Sequence, residues 1–168
     1  MLSKNKSIIH GKNRAWFLLI SCVVIILDQW SKALVRKNLA LYQTKVVIEH
    51  FWNWTLAYNR GAAFSLLDKQ AIWSKYMFTL VAFIVAIGLI WYLLVKTYNL
   101  LIGLALSLIL GGAVGNLTDR LIFGKVTDFI QWYYHDYYWP SFNVADSAVC
   151  VGIALLIIES LFFTKKDQ

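Results

Sequence analysis

The chain has little charge, little proline and little cysteine for its 168 residues: 15% are charged, one is proline and two are cysteine. A soluble domain carries about 25% charged residues, so a soluble globule of this composition would expose large apolar patches. Its hydrophobic content also excludes intrinsic disorder, and nine glycines without an internal period exclude a collagen-like or repeat fold. Cys22 and Cys150 lie inside apolar runs, which predicts buried thiols and no disulfide framework.

Long apolar segments dominate the chain. Hydrophobic residues make up 60% of it, and the mean hydropathy is +0.59. A helix needs about 20 apolar residues to cross a bilayer. Because the apolar runs are continuous rather than alternating, helices are favoured over barrel strands. The sequence therefore predicts an α-helical integral membrane protein of one domain, 1–168, with four transmembrane helices at about 15–35, 73–95, 99–117 and 144–163.

The first apolar segment has an alternative interpretation as a cleavable signal peptide. Basic residues precede it, and Leu19-Ile20-Ser21-Cys22 loosely resembles a lipoprotein processing box. The apolar run continues past Cys22 to Leu27, however, and no small-x-small cleavage site follows. We therefore expect an uncleaved span.

The distribution of basic residues predicts the orientation. The formal net charge is +7, the first 14 residues carry four Lys or Arg, and Lys165 and Lys166 lie at the other end. By the positive-inside rule both termini are cytoplasmic, so residues 36–72 and 118–143 lie outside. Three basic residues count against this orientation: Lys32, Arg36 and Lys37. No nucleic-acid recognition motif is present, so we attribute the basic excess to topology and to anionic lipids.

The two outer segments carry their own patterns. Residues 46–58 are rich in β-branched and aromatic types, which predicts one or two short strands. Residues 131–139 contain six aromatic side chains, a composition typical of the lipid–water interface. We expect a small extracytoplasmic β-element and an interfacial loop.

Ionisable residues in or beside the spans are costly in a bilayer and are therefore candidates for function. Asp28 and Lys32 are four residues apart, so on a helix they share a face and can form an ion pair. Glu159 lies near the inner end of the fourth span, where we expect it to reach the interface without a functional role.

Asp128 and Asp146 flank the last outer segment, with 17 residues between them. Two carboxyl groups brought close at a half-dry interface cannot both ionise cheaply, so they share a proton. An aspartic protease uses such a pair: the ionised group activates water and the protonated group polarises the scissile carbonyl. From composition alone, two separate helix-capping aspartates remain the alternative.

Four motifs, in order, resemble those of the bacterial lipoprotein signal peptidase family, also called signal peptidase II. They are Asp28-Gln29-Trp30-Ser31-Lys32, Asn59-Arg60-Gly61-Ala62-Ala63-Phe64-Ser65, the stretch GGAVGNLTDRLIFGKVTDFIQW at 111–132, and FNVADSA at 142–148. The resemblance covers nearly the whole chain. It implies a membrane aspartic endopeptidase of the bacterial cytoplasmic membrane with its site at the outer face. The substrate would be a diacylglyceryl-modified prolipoprotein, cut just before its lipidated cysteine.

Carried over by motif, the catalytic pair falls on Asp128 and Asp146, and Thr127 stands where many members have Val. Asp119 is the rival for the second carboxylate, but the adjoining Arg120 is expected to keep it ionised and paired. Capping or packing of helix ends is the alternative role for the polar neighbours. The expected substrate-binding or site-supporting residues are Asp28, Lys32, Asn59, Gly61, Asn116, Asp119, Arg120, Asn143 and Ala145.

The sequence indicates no metal site, because His10, His50 and His135 lack ligand spacing and there is no HExxH motif. A carboxylate pair needs only water, so we expect no cofactor. The expected partners are prolipoproteins and membrane lipids, with the chain acting as a monomer and binding no nucleic acid.

Two other functions fit the composition. A small four-helix transporter could bind a proton or cation at Asp28, Asp128 and Asp146, but transporters place such groups near the membrane midplane. A non-catalytic scaffold would give no reason for several polar motifs on one side. The one-sided clustering favours a site that processes something at the outer surface, and the family resemblance identifies that activity as proteolysis.

Overall fold

In the computed structural model, residues 15–60, 71–96 and 98–162 are described. They form the helices α1 (Ala15–Asn38), α2 (Ala71–Val95), α3 (Leu100–Phe123) and α4 (Val144–Phe162). Each of the four is long and apolar enough to cross a membrane, so the predicted architecture is confirmed. The terminal basic residues that predict the orientation, before residue 15 and at Lys165 and Lys166, lie outside the described part.

Helices α1 and α3 extend further than the apolar runs predict, to Asn38 and Phe123. Arg36 and Asp119 lie just beyond the predicted ends of these two spans, yet Asp119 is completely buried and pairs with Arg36, so the helices continue through a polar interior. Gly124 ends α3: its φ of 70° is the left-handed conformation that glycine adopts without strain, and its N–H donates to the Arg120 carbonyl.

Helix α3 is the centre of the bundle and packs against α1, α2 and α4. Small residues allow this close packing, as is common between membrane helices. Gly112 lies against the backbone of Ala145, and a Cβ at Gly115 would lie 2.7 Å from Asp28 Oδ2. Gly115 and the fully buried Ala145 therefore bring α1, α3 and α4 together around one polar region.

An antiparallel sheet lies at one end of the bundle. Its strands are β1 (Thr44–Ile48), β2 (Trp52–Asn59), β3 (Val126–Tyr134) and β4 (Tyr137–Tyr138), in that order across the sheet. The α1–α2 and α3–α4 connections supply them, so the sheet stands where α1 and α3 end and α4 begins. The strands predicted within 46–58 are confirmed. Strand β3 was not predicted, because its partner β2 is distant in sequence, and residues 131–139 form the end of β3, a turn and β4.

Two expectations about single residues are wrong. Cys22 and Cys150 are free but exposed on the outer face of the bundle, because an apolar run in a membrane helix has lipid-facing positions as well as buried ones. Glu159 was expected to reach the interface, but its side chain is buried. It is 6% exposed and accepts a 2.7 Å hydrogen bond from Asn99 Nδ2, while Asn99 Oδ1 caps the start of α3.

Candidate active site

The polar residues of the predicted site meet at the sheet end of the bundle. Asp128 lies in β3 and is 3% exposed, and Asp146 lies in the first turn of α4. An isolated antiparallel bridge between Ile130 and Phe142 returns the chain to β3 just before α4 begins. This return places Asn143 beside Asp128, although 14 residues separate them in sequence.

Asn143 connects the two aspartates. Its side-chain Nδ2 donates to Asp128 Oδ1 at 2.7 Å. At the start of α4, its Oδ1 accepts from the Asp146 N–H at 2.9 Å, and its own N–H donates to Asp146 Oδ2 at 3.1 Å. This reciprocal pair is a capping box, which satisfies two otherwise unpaired backbone donors. The cap of α4 and the contact to Asp128 thus belong to one side chain.

Asn116, on α3, lies on the other side of Asp146. Its Nδ2 donates to Asp146 Oδ1 at 2.7 Å, and its Oδ1 accepts from Lys32 Nζ at 3.0 Å and from Asn143 Nδ2 at 3.2 Å. Asp146 therefore accepts hydrogen bonds from two separate donors. Its carboxylate is held between α3 and the α4 cap.

The predicted Asp28–Lys32 ion pair is present and entirely buried, with Lys32 Nζ 2.8 Å from Asp28 Oδ2. The same ammonium group is 3.5 Å from Asp119 Oδ2. Asp28 Oδ1 also accepts from the Ala145 N–H at 3.0 Å, which ties α1 to the first turn of α4. Gln29, which the sequence analysis did not single out, donates to Asp28 Oδ2 at 3.0 Å and to the Gly115 carbonyl at 2.9 Å.

Asp119 has different partners from the ones expected. It pairs with Lys32 and with Arg36, whose Nη1 is 3.6 Å from Asp119 Oδ1, rather than with the adjoining Arg120. Adjacent residues on a helix point in different directions, so sequence neighbours rarely pair. Asp119 Oδ2 also accepts from the Thr127 N–H at 2.8 Å. Both oxygens of its carboxylate are therefore occupied by these partners.

Arg120 lies nearer to the predicted catalytic pair. Its Nη1 is 3.5 Å from the Asn116 carbonyl oxygen, and its guanidinium lies 5.9 Å from the Phe78 ring centroid. Its charge interacts most strongly with Asp146, then with Asp128 and Asp119. The guanidinium is half-buried and offers a planar set of donors beside the two carboxyl groups.

The electrostatics of Asp128 suit a carboxyl group that holds a proton. Burial, and then the negative charge of Asp146, raise its pKa to about 7, against the opposing effects of Asn143, Asn59 and Lys32. Desolvation penalises the charged form, and a second carboxylate nearby penalises it further. Near neutral pH the Asp128 carboxyl is therefore divided between its protonated and ionised forms.

Several cations surround the four carboxyl groups of this region, which belong to Asp28, Asp119, Asp128 and Asp146. Lys32 and Arg36 pair with Asp28 and Asp119, and the charge of Arg120 interacts with Asp146 and Asp128. Arg60 and Lys125 line the same cleft as Asp128.

Asp128 lines an open cleft of about 730 Å³ that an extended chain could enter. Asn59, the last residue of β2, also lines it, and its side chain hydrogen-bonds the Asp128 carboxyl. A register shift between Trp54 and Ala57 places Ala57 opposite Asp128, and such bulges often re-aim side chains beside active sites. Gly61, which the family motif also includes, lies outside the described residues.

No group of three or more His, Cys, Asp or Glu side chains that could hold a metal ion occurs within 15–60, 71–96 and 98–162. His50 and His135, scattered in sequence, meet at the tips of two turns with ring centroids 5.6 Å apart. They lie outside the polar network described above.

The sequence analysis treated Arg36 only as an exception to the positive-inside rule. Its spacing carries a signal, because Asp28, Lys32 and Arg36 follow one another at four-residue intervals and share one helix face. Thr127, the departure from the family motif, accepts a 2.9 Å hydrogen bond from Arg36 through its hydroxyl. Arg36 thus binds two members of the site.

Comparison with known proteins gives consistent matches. A family model described as signal peptidase (SPase) II matches residues 20–162. The chain is 45% identical over 147 residues to a lipoprotein signal peptidase of Chromobacterium violaceum, covering 87% of this chain and 90% of that protein. A lipoprotein signal peptidase of Pseudomonas aeruginosa is 44% identical over 153 residues, covering 90% of each chain.

Two solved structures, both described as bacterial membrane enzymes, share the fold. One has a TM-score of 0.78 and 34% identity and covers 89% of this chain and 95% of its own. The other has a TM-score of 0.76 and 32% identity, with coverage of 92% and 94%.

Proposed function

The chain belongs to the signal peptidase II family of bacterial membrane peptidases, and on that premise we propose that it is an aspartic endopeptidase. Its substrate is a prolipoprotein that already carries a diacylglyceryl group on cysteine. The enzyme cuts the peptide bond just before that cysteine and releases the signal peptide.

One observation carries this proposal: Asp128 is buried, has a pKa raised to about 7, and is joined to Asp146 through Asn143. Two coupled carboxyl groups that share one proton supply both a base and an acid at neutral pH. Water is the only other reactant required.

In the proposed reaction Asp146 is the base and Asp128 the acid. Asp146 removes a proton from water as the water oxygen attacks the scissile carbonyl carbon. Asp128 donates its proton to the carbonyl oxygen, which becomes the hydroxyl of a tetrahedral intermediate. When the C–N bond breaks, that proton returns to Asp128 and Asp146 protonates the leaving nitrogen. Both carboxyl groups end in their starting states.

The remaining polar residues orient this pair. Asn116 and Asn143 donate to the two carboxyl groups, and Asn59 contacts Asp128 from the rim of the cleft. Arg120 offers donors to a substrate carbonyl or to the charge that develops in the transition state. Asp28 joins α1 to α4 through the Ala145 N–H, and Lys32 joins α1 to α3 through Asn116 and Asp119.

We propose that both termini are cytoplasmic and that the sheet end of the bundle faces outward. Of the three basic residues that count against this orientation, Lys32 and Arg36 are held by Asp28 and Asp119. Of these three residues only Lys37, in the last turn of α1, has an exposed side chain. Labelling of single cysteines introduced at Glu49 and at Lys96 tests this orientation. We expect a membrane-impermeant reagent to label position 49 in intact cells and position 96 only after permeabilisation. Labelling of position 96 in intact cells would show the opposite orientation.

The diacylglyceryl group keeps the substrate in the lipid, so we propose that the site opens sideways toward the membrane. The aromatic hairpin of β3 and β4 and the described residues 36–60 would then cover the bound peptide. Photocrosslinks from labelled acyl chains should map to helix faces beside Asp128 and Asp146. Crosslinks confined to faces remote from both would contradict lateral entry.

Cleavage of a diacylglyceryl-modified prolipoprotein by purified variants tests the proposed function. We expect Asp128→Asn and Asp146→Asn to lose turnover while retaining folding and substrate binding. Asp136→Asn, in the exposed β3–β4 turn, is the matched control and should cut normally. If Asp119→Asn abolishes cleavage and Asp128→Asn does not, Asp119 is the second carboxylate. If the wild type cannot cut, the transporter hypothesis becomes the leading one.

A further inference from the structure

Thr127, the residue before Asp128, is completely buried, and all of its polar groups are bound. Its N–H donates to Asp119 Oδ2 at 2.8 Å, and its carbonyl accepts from Asn143 Nδ2 at 3.2 Å. Its hydroxyl accepts from Arg36 Nη1 at 2.9 Å. Strand β3 is therefore held at the position next to Asp128 by three elements: α3, the α4 cap and α1.

Arg36 is itself held on several sides. It is in the last turn of α1, with its side chain 21% exposed, and Nη1 also lies 3.6 Å from Asp119 Oδ1. The guanidinium stacks over the Phe123 ring, 4.5 Å from the ring centroid. A planar guanidinium can stack and donate at once, which a lysine ammonium cannot do in the same way. Its polar contacts are to Thr127 and Asp119, not to Asp128 or Asp146.

We propose that Arg36 is a positioning residue for the peptidase reaction, and that it acts through the Thr127 hydroxyl to keep Asp128 against Asn143. This inference rests on the proposed function. The strand segment 127–128 carries both the hydroxyl that Arg36 holds and the carboxyl that Asn143 holds. When the hydroxyl is released, the carboxyl moves out of register with the Asn143 amide, which donates to its Oδ1 at 2.7 Å.

Substitution of Thr127 separates positioning from folding. Thr127→Val keeps the shape and removes the hydroxyl, and Thr127→Ser keeps the hydroxyl. Thr118→Val is the matched control, because its hydroxyl bonds only the Val114 carbonyl within α3. We expect Thr127→Val to lower kcat about tenfold with KM unchanged, Thr127→Ser to stay within about twofold of the wild type, and Thr118→Val to match it.

A double-mutant cycle identifies the partner. If Arg36 acts through the hydroxyl, Thr127→Val should add little to the loss in kcat caused by Arg36→Met, and the two effects should be strongly non-additive. Fully additive losses would mean that the two residues act separately and would overturn the inference.

The pH dependence of cleavage distinguishes the two roles, because a purely structural role of Arg36 would not shift the pH profile. The Asn143 amide lowers the pKa of Asp128, so a weakened contact raises that pKa further. Thr127→Val should therefore move the alkaline limb of the cleavage profile to higher pH. A lower melting temperature with an unchanged profile and unchanged kcat would reduce Arg36 to a fold-stabilising residue.

A carboxyl titration keeps this test independent of the proposed function. In protein labelled with ¹³C-aspartate, the Asp128 carboxyl signal is assigned by its loss in Asp128→Asn. Its titration midpoint should be higher in Thr127→Val than in Thr118→Val, whether or not the substrate is cut. Equal midpoints would overturn the inference. Failure of the wild type to cleave would instead refute the proposed function alone.

Discussion

The side-chain amide of Asn143 donates a 2.7 Å hydrogen bond to Asp128, and this bond joins the start of α4 to strand β3. The same residue caps α4 through its reciprocal bonds with Asp146. A helix cap requires a short side-chain acceptor, whereas the bond to Asp128 requires an amide donor of the right length. The two roles can therefore be separated by substitution.

Asn143→Ser should keep most of the cap and lose the donor to Asp128. We expect a loss of stability of about 1 kcal/mol or less and a fall in kcat of about 100-fold. Asn99→Ser, at the matching cap of α3, is the control and should lower stability by a similar amount without affecting kcat. Thermal unfolding and prolipoprotein cleavage measure the two effects. Normal turnover by Asn143→Ser would limit Asn143 to capping.

The pH dependence of cleavage follows from Asp128. The acid must be protonated, so activity should be present below about pH 7 and fall as the pH rises through the raised pKa of about 7. Asn59→Ala removes a contact that lowers this pKa, so its alkaline limb should lie at higher pH. Asn38→Ala, at the exposed end of α1, is the control. A shift of the alkaline limb to lower pH in Asn59→Ala would contradict the inference that Asn59 lowers the pKa of Asp128.

The same group makes stability depend on pH. The folded pKa of Asp128 is raised from 3.8, so its favourable contribution is complete below 3.8 and is lost as the pH rises through about 7. We expect the wild type to lose stability over this interval relative to Asp128→Asn. Melting temperatures of both proteins across the interval measure the difference, and parallel curves would show that the carboxyl is not shifted.

Lys32 should be the most costly cation to remove. Its ammonium is completely buried between Asp28 and Asp119, and it also donates to Asn116. Lys32→Met leaves buried carboxylates short of a partner, which costs about 3–5 kcal/mol. Lys37→Met, with an exposed side chain, should stay within about 0.5 kcal/mol of the wild type.

Neutralising Asp28 should recover part of the stability that Lys32→Met loses. In Lys32→Met/Asp28→Asn the excess negative charge is removed, so the double variant should unfold at a higher temperature than the single one. If both variants are equally destabilised, lost packing rather than unpaired charge explains the effect of Lys32→Met.

Close packing at Gly115 should be intolerant of even one methyl group. A Cβ there would lie 2.7 Å from Asp28 Oδ2, so Gly115→Ala should cost about 1–3 kcal/mol. Gly88, on α2, has nothing within 4 Å of the corresponding position. Gly88→Ala should therefore be neutral or stabilising by up to about 1 kcal/mol, since alanine favours helix. Equal melting temperatures for the two variants would contradict the contact between α1 and α3.

Side-chain pairs within one helix could be predicted from the sequence, whereas pairs between elements could not. The spacing of Asp28 and Lys32 correctly predicted their ion pair, because four-residue spacing on a helix is a local geometric relationship. Asp119 was expected to pair with Arg120, but its ion-pair partners come from α1. Glu159 was expected to reach the interface, but it is buried and bonded to Asn99 at the start of α3. Both errors arose where the partner lies on another element.

The four membrane helices, the strands within 46–58 and the family motifs could be predicted from the sequence, because hydropathy and residue spacing are properties of each segment alone. The partners of the buried side chains could not be predicted, because they depend on how the segments pack against one another. Lys32 and Asn116 are 84 residues apart in sequence, yet they bond at 3.0 Å because small residues bring α1 and α3 together. The raised pKa of Asp128 likewise depends on burial and on charges from other elements, which no local pattern specifies.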